Sequence, residues 1–173
     1  MRAAVQQGKR IKVIATETRP KLQGARLTAF ELTMDRIPVT LIADSMVSYV
    51  MMNDLVDKVL VGADRVLATG HVFNKIGTST IAIVADHYSI PFYVAAPKSS
   101  FDLTKSVNRV EIEQRDPMEV RMIERHILAP RNVSACNPAF DMTTPSLVNA
   151  IITEKGVIRA PYRKNIRKIL GSG

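Results

Sequence analysis

Four short runs rich in β-branched and other apolar residues recur along the chain, each followed by a stretch of helical character. The runs cover residues 11–16, 38–43, 58–63 and 91–96, so that their starts are 20 to 33 residues apart. Strands that alternate with helices at this spacing form parallel βαβ units. Runs that are apolar almost throughout are typical of strands buried on both faces. We therefore predict an α/β fold, a three-layer Rossmann-like domain with a mostly parallel sheet.

The helical stretches between these strands differ in regularity along the chain. Apolar residues near helical spacing predict the helices of the first half, whereas the pattern loosens after Pro97. There the sequence predicts one more short strand and two helices, the second entered through the turn Thr-Thr-Pro-Ser. The expected helices cover residues 22–35, 46–55, 77–87, 119–128 and 146–153, and the additional strand covers residues 110–113.

The net charge of +8 is concentrated at the two ends of the chain. Residues 1–12 hold four basic residues, residues 159–173 hold five, and neither segment holds an acid, whereas residues 13–158 hold 15 basic residues and 16 acids. We interpret residues 1–158 as the domain and residues 159–173 as a peripheral basic tail, with both basic ends solvated. A nucleic-acid partner is not expected, because only Tyr162 is interleaved with the basic residues for base stacking.

Apolar runs such as residues 81–84 and 90–96 are too short to span a bilayer, and the N-terminal segment lacks the apolar core of a secretory signal. A membrane partner is therefore not expected. The single cysteine, Cys136, excludes an intrachain disulfide framework and fits a reduced, cytoplasmic location. Cys136 itself is expected to be an inert thiol in a turn rather than a nucleophile.

Polar residues follow each of the four predicted strands, among them Asp44, Asp64 and Ser99. In an open parallel sheet ligands bind beyond the carboxyl ends of the strands, so these junctions predict one shared polar cleft. The alternative is that Asp and Ser side chains cap the helices that follow. Capping is the stronger interpretation for Asp44 and Ser99 and the weaker one for Asp64, which directly follows the tightly packed Val-Gly-Ala.

The segment Asn74-Lys75-Ile76-Gly77-Thr78 stands at the start of a predicted helix. Its side-chain donors and free backbone N–H groups could hold a phosphate. The segment lacks the Walker pattern, and an ordinary capped loop is the alternative.

A second candidate site is the start of the first helix, Gln23-Gly24-Ala25-Arg26. Gln23 could donate to a substrate oxygen, and the small residues would let the backbone approach either a ligand or a neighbouring strand. The three histidines are far apart, so a metal site is not expected. A nicotinamide cofactor is not expected either, because no G-x-G-x-x-G pattern follows a strand.

Six motifs in fixed order give the chain a resemblance to a known family. Together they resemble the methylthioribose-1-phosphate isomerase family, which is related to ribose-1,5-bisphosphate isomerases and to the regulatory subunits of initiation factor 2B. The match covers residues 11–158. The motifs are ATETRPKLQGARLTAFEL at 15–32, VGADRV at 61–66, NKIGT at 74–78, PFYVAAPKSSFD at 91–102, NPAFD at 137–141 and AIITEKG at 150–156.

The resemblance implies an aldose–ketose isomerase that converts 5-methylthioribose 1-phosphate to 5-methylthioribulose 1-phosphate in methionine salvage. Because the anomeric carbon carries phosphate, an acid must act at the ring oxygen before hydrogen moves between C1 and C2. By resemblance Asp64 has this acid/base role, and Gln23, Asn74 and Lys75 bind the substrate. The resemblance implies no metal or organic cofactor. It also implies a homodimer, for which residues 46–52 offer apolar surface.

Members of the family are about twice as long as this chain and carry a helical N-terminal domain with a catalytic cysteine. The sequence is therefore expected to be the C-terminal half of such an isomerase, and Cys136 lies in a different motif from that cysteine. Two alternatives remain open. One is an isomerase of ribose 1,5-bisphosphate, and the other is a non-catalytic regulatory subunit like those of initiation factor 2B.

Overall fold

The computed structural model describes residues 1–130 and 132–171, which form two compact units. The first unit combines Met1–Val50 with Asp116–Asn137, and the second combines Met51–Arg115 with Pro138–Gly173. Among the residues described, no helix is both long and apolar enough to cross a membrane.

Helices and strands alternate as far as the strand Val59–Val61, and beyond it several strands follow one another without an α-helix between them. The helices are α1 (Arg2–Gln6), α2 (Ala29–Met34), α3 (Val47–Met52), α4 (Thr78–His87), α5 (Met118–Arg121) and α6 (Tyr162–Leu170). The strands are β1 (Val13–Thr16), β2 (Val39–Ile42), β3 (Val59–Val61), β4 (Arg65–Leu67), β5 (Val72–Lys75), β6 (Phe92–Ala95), β7 (Phe101–Asp102), β8 (Met122–Ile123), β9 (His126–Ile127), β10 (Phe140–Thr143), β11 (Ala150–Thr153) and β12 (Gly156–Ile158).

The first unit is built on the parallel pair β1 and β2, which are in register from Val13–Val39 to Thr16–Ile42. A π-helical turn and α2 connect the two strands, and the buried side chains include Ala15, Leu32 and Ile42. The short hairpin β8–β9 belongs to the same unit.

The second unit contains two four-stranded sheets. In one, β3, β6 and β11 are parallel and β12 adds an antiparallel edge. Phe92, Val94 and Ile151 lie at its centre and are at most 1% exposed. The other sheet has the order β10-β5-β4-β7 and is mainly antiparallel. The predicted α/β class and its parallel pairs are confirmed, with the strands distributed over separate hydrogen-bonded sheets.

The C-terminal helix corrects the expectation of a peripheral tail. Three residues of α6, Tyr162, Ile166 and Leu170, are buried, and the Tyr162 hydroxyl donates a hydrogen bond of 2.7 Å to the Val148 carbonyl. Burial raises the pKa of Tyr162 to about 12. The basic residues occupy the opposite, exposed side of the helix, so the tail is amphipathic and only its charged face is solvated.

The predicted elements of the first hundred residues are confirmed within a few residues, but three later ones are wrong. Residues 110–113 form no strand. The helix expected over 119–128 ends at Arg121, because Met122 is extended and begins the β8–β9 hairpin, in whose turn Glu124 has a φ of 54°. The helix expected over 146–153 is a 3-10 turn followed by β11, whose β-branched residues fit between two neighbouring strands.

The sheet β10-β5-β4-β7 is not predicted by the sequence patterns. Its hairpin β4–β5 lies within residues 64–76, where the patterns indicate only a loop, and its turn contains Gly70 at a φ of +86°. Gly70 is needed there because a β-carbon would lie 2.6 Å from Cβ of Tyr162. Apolar residues on both sides of a short Gly-containing turn are the signal that could have indicated the hairpin.

Two buried threonines of the second unit give a matched test of the packing around α4. The Thr143 hydroxyl is buried and has no hydrogen-bond partner among the residues described, whereas the Thr78 hydroxyl accepts from Asn74 Nδ2 and donates to the Lys75 carbonyl. We expect Thr143→Val to leave the free energy of unfolding unchanged or to raise it. Thr78→Val should lower it by about 1–3 kcal/mol, because it leaves polar groups unpaired. Urea denaturation of both variants measures the difference, and an equal loss in both would contradict it.

Candidate functional site

Three of the predicted site residues meet at one end of the sheet β10-β5-β4-β7. Asn74 and Lys75 are the last two residues of β5, and Asp64 immediately precedes β4, which runs antiparallel to β5. The Asp64 backbone N–H donates a hydrogen bond of 2.9 Å to the Phe73 carbonyl. The start of β4 and the end of β5 therefore lie side by side and bring Asp64 next to the Asn74–Lys75 pair.

The Asn74 side chain is held by the first turn of α4. Its Nδ2 donates a 3.0 Å hydrogen bond to Thr78 Oγ1, and that hydroxyl donates a 2.7 Å bond to the Lys75 carbonyl. The Asn74 Oδ1 has no partner within the described part of the chain. A β-carbon at Gly62 would lie 4.0 Å from this oxygen, which places it beside the segment leading to Asp64. The carboxamide is thus fixed with its acceptor available.

Lys75 points to the opposite face of β5 from Asn74, because successive side chains of a strand alternate. Its Nζ lies 4.6 Å from the centroid of the Phe140 ring, and Phe140 is its partner in the β5–β10 register. The ammonium makes no ion pair with the residues described. A single ligand that touches both Asn74 and Lys75 must therefore lie off the end of β5 rather than on one face of the sheet.

The start of α4 is a capped helix end. The Asp141 carboxylate accepts hydrogen bonds from the backbone N–H groups of Gly77, at 2.7 Å, and Ser79, at 3.0 Å. Burial raises the pKa of this carboxyl above its usual range, and the two backbone hydrogen bonds oppose that rise. Of the two alternatives for residues 74–78, the structure favours the capped loop, because a protein carboxylate already occupies the anion position at this helix end.

Asp64 has the most accessible of the three side chains. It is exposed, and its carboxylate makes no hydrogen bond or ion pair with any residue that the structure describes. The segment before it is tied down, since Ser100 Oγ donates a 3.4 Å bond to the Ala63 carbonyl. An unpaired carboxylate on a fixed backbone can give and take a proton without first breaking an internal interaction.

Gln23 belongs to the first unit, where it precedes a π-helical turn at Gly24–Thr28. Gly24 packs directly against the end of β1, because a β-carbon there would lie 1.8 Å from the Thr16 carbonyl oxygen. Of the two interpretations of this glycine, the close approach to a neighbouring strand is confirmed. Gln23 Oε1 is buried and has no hydrogen-bond partner among the described atoms.

Asp44 holds the loop that leads from β1 to Gln23. Its carboxylate accepts hydrogen bonds from the backbone N–H groups of Thr18, at 2.8 Å, and Arg19, at 2.6 Å. Asp44 makes no side-chain cap on the short helix that it opens. Capping of the following helix is therefore the wrong interpretation of Asp44, whose carboxylate is used to fix a loop. The single polar cleft shared by all four strand ends remains a prediction.

Two residues of the site are not identified by their local sequence. Phe140 and Asp141 lie in the NPAFD motif, which is recognisable only as part of the family resemblance. Their contacts depend on the pairing of β10 with β5, some 65 residues apart in the chain. No local pattern indicates that pairing, although the alternation of Phe140, Asp141 and Met142 before the buried Thr143 is compatible with a strand.

Known proteins of similar sequence identify the family of the chain. The profile of the initiation factor 2 subunit family matches residues 1–160. The methylthioribose-1-phosphate isomerase of Carboxydothermus hydrogenoformans is 55% identical over 172 residues, which are 99% of this chain and 50% of that protein. The chain thus spans about half the length of the curated relatives that it matches.

Two solved structures cover nearly the whole chain. The crystal structure of translation initiation factor eIF-2B, subunit delta, from A. fulgidus has a TM-score of 0.96 and 54% identity, over 98% of this chain and 50% of that one. The 5-methylthioribose 1-phosphate isomerase from Pyrococcus horikoshii has a TM-score of 0.94 and 41% identity, over 99% of this chain and 48% of that one. From its sequence and its fold, the chain belongs to the initiation factor 2 subunit family.

Proposed function

We propose that this chain carries part of the active site of an aldose–ketose isomerase that converts 5-methylthioribose 1-phosphate to 5-methylthioribulose 1-phosphate. The observation that carries the proposal is the juxtaposition of an exposed, unpaired carboxylate, Asp64, with the Asn74–Lys75 pair at one end of a sheet. An acid/base group, a hydrogen-bond acceptor and a cation are the groups that isomerisation of a sugar phosphate requires. The isomerase relatives named above support the substrate.

The acid/base role falls to Asp64 because its carboxylate can exchange a proton and has no internal partner within the described residues, whereas the Lys75 ammonium is assigned to the phosphate. In this substrate the ring oxygen must receive a proton as the ring opens. The hydrogen on C2 must then move to C1, and the C2 hydroxyl must give up its proton as the C2 ketone forms. Asp64 would handle one of these transfers from a fixed position at the start of β4. A second group would handle the other, and by resemblance it is the family's cysteine, which is not among these 173 residues.

The substrate would lie off the end of β5, where both Asn74 and Lys75 can reach it. Lys75 would hold the phosphate through a charge-assisted hydrogen bond. Asn74 would accept a hydrogen bond from a sugar hydroxyl through Oδ1, because the bond from Nδ2 to Thr78 fixes the carboxamide and Oδ1 has no partner among the described residues. In this arrangement the phosphate is bound by side chains and not by the capped start of α4.

Gln23 is proposed as a further substrate-binding residue. Its Oε1 is a buried acceptor without a partner among the described atoms, and an unsatisfied buried acceptor costs about 1–3 kcal/mol. A ligand hydroxyl that donated to this oxygen would recover that free energy. The Asp44 carboxylate and the close packing of Gly24 keep the loop around Gln23 in place.

The Asp64→Asn variant tests the acid/base role. In a protein of the relatives' full length that contains this segment, we expect the variant to keep its fold and most of its substrate affinity but to lose several orders of magnitude in kcat. The amide is nearly isosteric with the carboxylate but cannot exchange a proton. Formation of the ketose from 5-methylthioribose 1-phosphate measures the rate. Asp57→Asn, an exposed change shortly before β3, is the control and should retain wild-type kcat.

An Asp64→Asn enzyme with near-wild-type kcat would remove Asp64 from the mechanism. The 173-residue chain by itself is expected to bind the substrate weakly and to turn it over slowly or not at all, since it would supply only one of the two proton-handling groups. Rapid turnover by this chain would mean that another of its residues fills the second role.

A non-catalytic regulatory subunit is the second candidate function. It is favoured by the A. fulgidus structure of a translation initiation factor subunit, which is 54% identical to this chain. A protein of that kind could retain the Asn74–Lys75 pair to sense a phosphorylated sugar or nucleotide without turning it over. Ligand binding by the full-length protein without ketose formation would identify this case. Turnover of ribose 1,5-bisphosphate, without turnover of 5-methylthioribose 1-phosphate, would identify the remaining alternative, an isomerase of ribose 1,5-bisphosphate.

We also propose a homodimer in the cytoplasm, formed through apolar surface of the first unit. Leu27, Phe30 and Met34 are each more than half exposed along one helical segment, and Met46 and Tyr49 of the predicted apolar segment are also exposed. Exposed apolar residues in such density are typical of an interface between subunits.

Sedimentation velocity at micromolar concentration should show a species of twice the 19.2 kDa chain mass. Phe30→Glu should shift this species toward the monomer, because it places a charge in the apolar interface, whereas Glu31→Gln on the same helix should not. A wild-type chain that sediments only as a monomer would contradict the proposal.

A further inference from the structure

The strand β10 lies directly beside the two residues that we propose to bind the substrate. In the antiparallel β5–β10 register Phe140 is opposite Lys75, and Asp141 is opposite Asn74. Residues directly opposite each other on neighbouring strands have side chains on the same face of the sheet. Each member of the Asn74–Lys75 pair therefore has one β10 side chain on its own face.

Phe140 supports the Lys75 ammonium. The 4.6 Å distance from Nζ to the ring centroid is within the range in which the negative face of an aromatic ring attracts a cation. Lysine has a long and flexible side chain, and no residue in the described ranges forms an ion pair with this one. The Phe140 ring is thus the contact that restricts where the ammonium lies.

Asp141 acts on Asn74 through the first turn of α4. Its two hydrogen bonds hold the N–H groups of Gly77 and Ser79, which flank Thr78 on either side. Thr78 in turn accepts the hydrogen bond from Asn74 Nδ2. A displacement of this helix turn would move the Thr78 hydroxyl and release the carboxamide of Asn74.

We propose that Phe140 and Asp141 are positioning residues of the substrate site. Phe140 sets the place of the Lys75 ammonium, and Asp141 sets the orientation of the Asn74 carboxamide through α4. The assignment rests on the proposed function only for the identity of the ligand. The side-chain contacts themselves can be tested without any ligand.

The first test compares variants of the 173-residue chain by NMR without ligand. In the wild type, the Lys75 ε-methylene protons should be shifted upfield by the Phe140 ring. Phe140→Tyr should keep this shift because it keeps the ring, and Phe140→Leu should remove it. Asp141→Asn should move the side-chain amide resonances of Asn74, because the new amide can accept only one of the two backbone N–H groups. Asp86→Asn, an exposed change in the last turn of α4, is the matched control and should leave them unchanged.

The second test measures the dissociation constant for 5-methylthioribose 1-phosphate by NMR titration of the same variants. Phe140→Leu should weaken binding by about fivefold or more, in line with a lost cation–π contact, while Phe140→Tyr should bind within about twofold of wild type. In a Lys75→Met background Phe140→Leu should cause no further loss, because residues that act through one another are non-additive.

The outcomes of the two tests are distinguishable from failure of the proposed function. If the ligand-free shifts behave as expected but neither this chain nor a protein of the relatives' full length that contains it binds the sugar phosphate, the positioning contacts stand and the proposed substrate is wrong. If the sugar phosphate binds the wild type, two results would overturn the positioning role of Phe140. One is an equal dissociation constant for Phe140→Leu and Phe140→Tyr. The other is a loss of affinity from Phe140→Leu that adds fully to the loss from Lys75→Met. Should Asp141→Asn not fold, Asp141→Glu replaces it, and unchanged Asn74 resonances there would overturn the role of Asp141.

Discussion

The pairing of β10 with β5 is the interaction on which the rest of the candidate site depends. It brings a carboxylate from residue 141 to the first turn of α4 and an aromatic ring from residue 140 under Lys75. Without this pairing β5 would be the edge of a three-stranded sheet. The side chains of Asn74 and Lys75 would then lose the contacts that fix their orientation. A contact between segments about 65 residues apart thus organises side chains that are adjacent in the sequence.

Carboxylates in this protein differ in what they bind. Asp44 and Asp141 each accept two backbone N–H groups; Asp44 fixes the loop that leads to Gln23, and Asp141 fixes the start of α4, which holds the Asn74 side chain. Asp64 accepts none from the described residues and is exposed to solvent. Because a carboxylate bonded to two N–H groups has its lone pairs engaged, the unbonded one is the better candidate for proton transfer. The distinction separates Asp64 from the two carboxylates that have structural roles.

Much of the fold could be predicted because its parallel strands are apolar runs that are visible in the local sequence. The patterns predict β1, β2, β3 and β6 within a few residues, and they also predict α4. They wrongly predict a helix at β11, where the Thr-Thr-Pro-Ser turn resembles a helix start, and another at the β8–β9 hairpin, whose residues are good helix formers. In both cases tertiary pairing overrides local propensity, as it commonly does.

The sequence motifs name candidate site residues, but they do not predict the geometry of the site. Motifs identify Asp64, Asn74, Lys75 and Gln23, yet no pattern within residues 74–78 indicates that Asn74 and Lys75 end a strand and point to its opposite faces. Nor does any pattern indicate the capping of α4 by Asp141, which leaves phosphate binding to side chains. The capping arises from the pairing of β10 with β5, for which the sequence carries no local signal.

A crystal structure of this chain with 5-methylthioribulose 1-phosphate bound would test the central claim most directly. We expect the ligand to lie off the end of β5, with its phosphate within hydrogen-bond distance of Lys75 Nζ and with Asp141 still bonded to Gly77 and Ser79. A phosphate seated on the backbone N–H groups of α4 with Asp141 displaced, or a ligand with no contact to Asp64, Asn74 or Lys75, would contradict it.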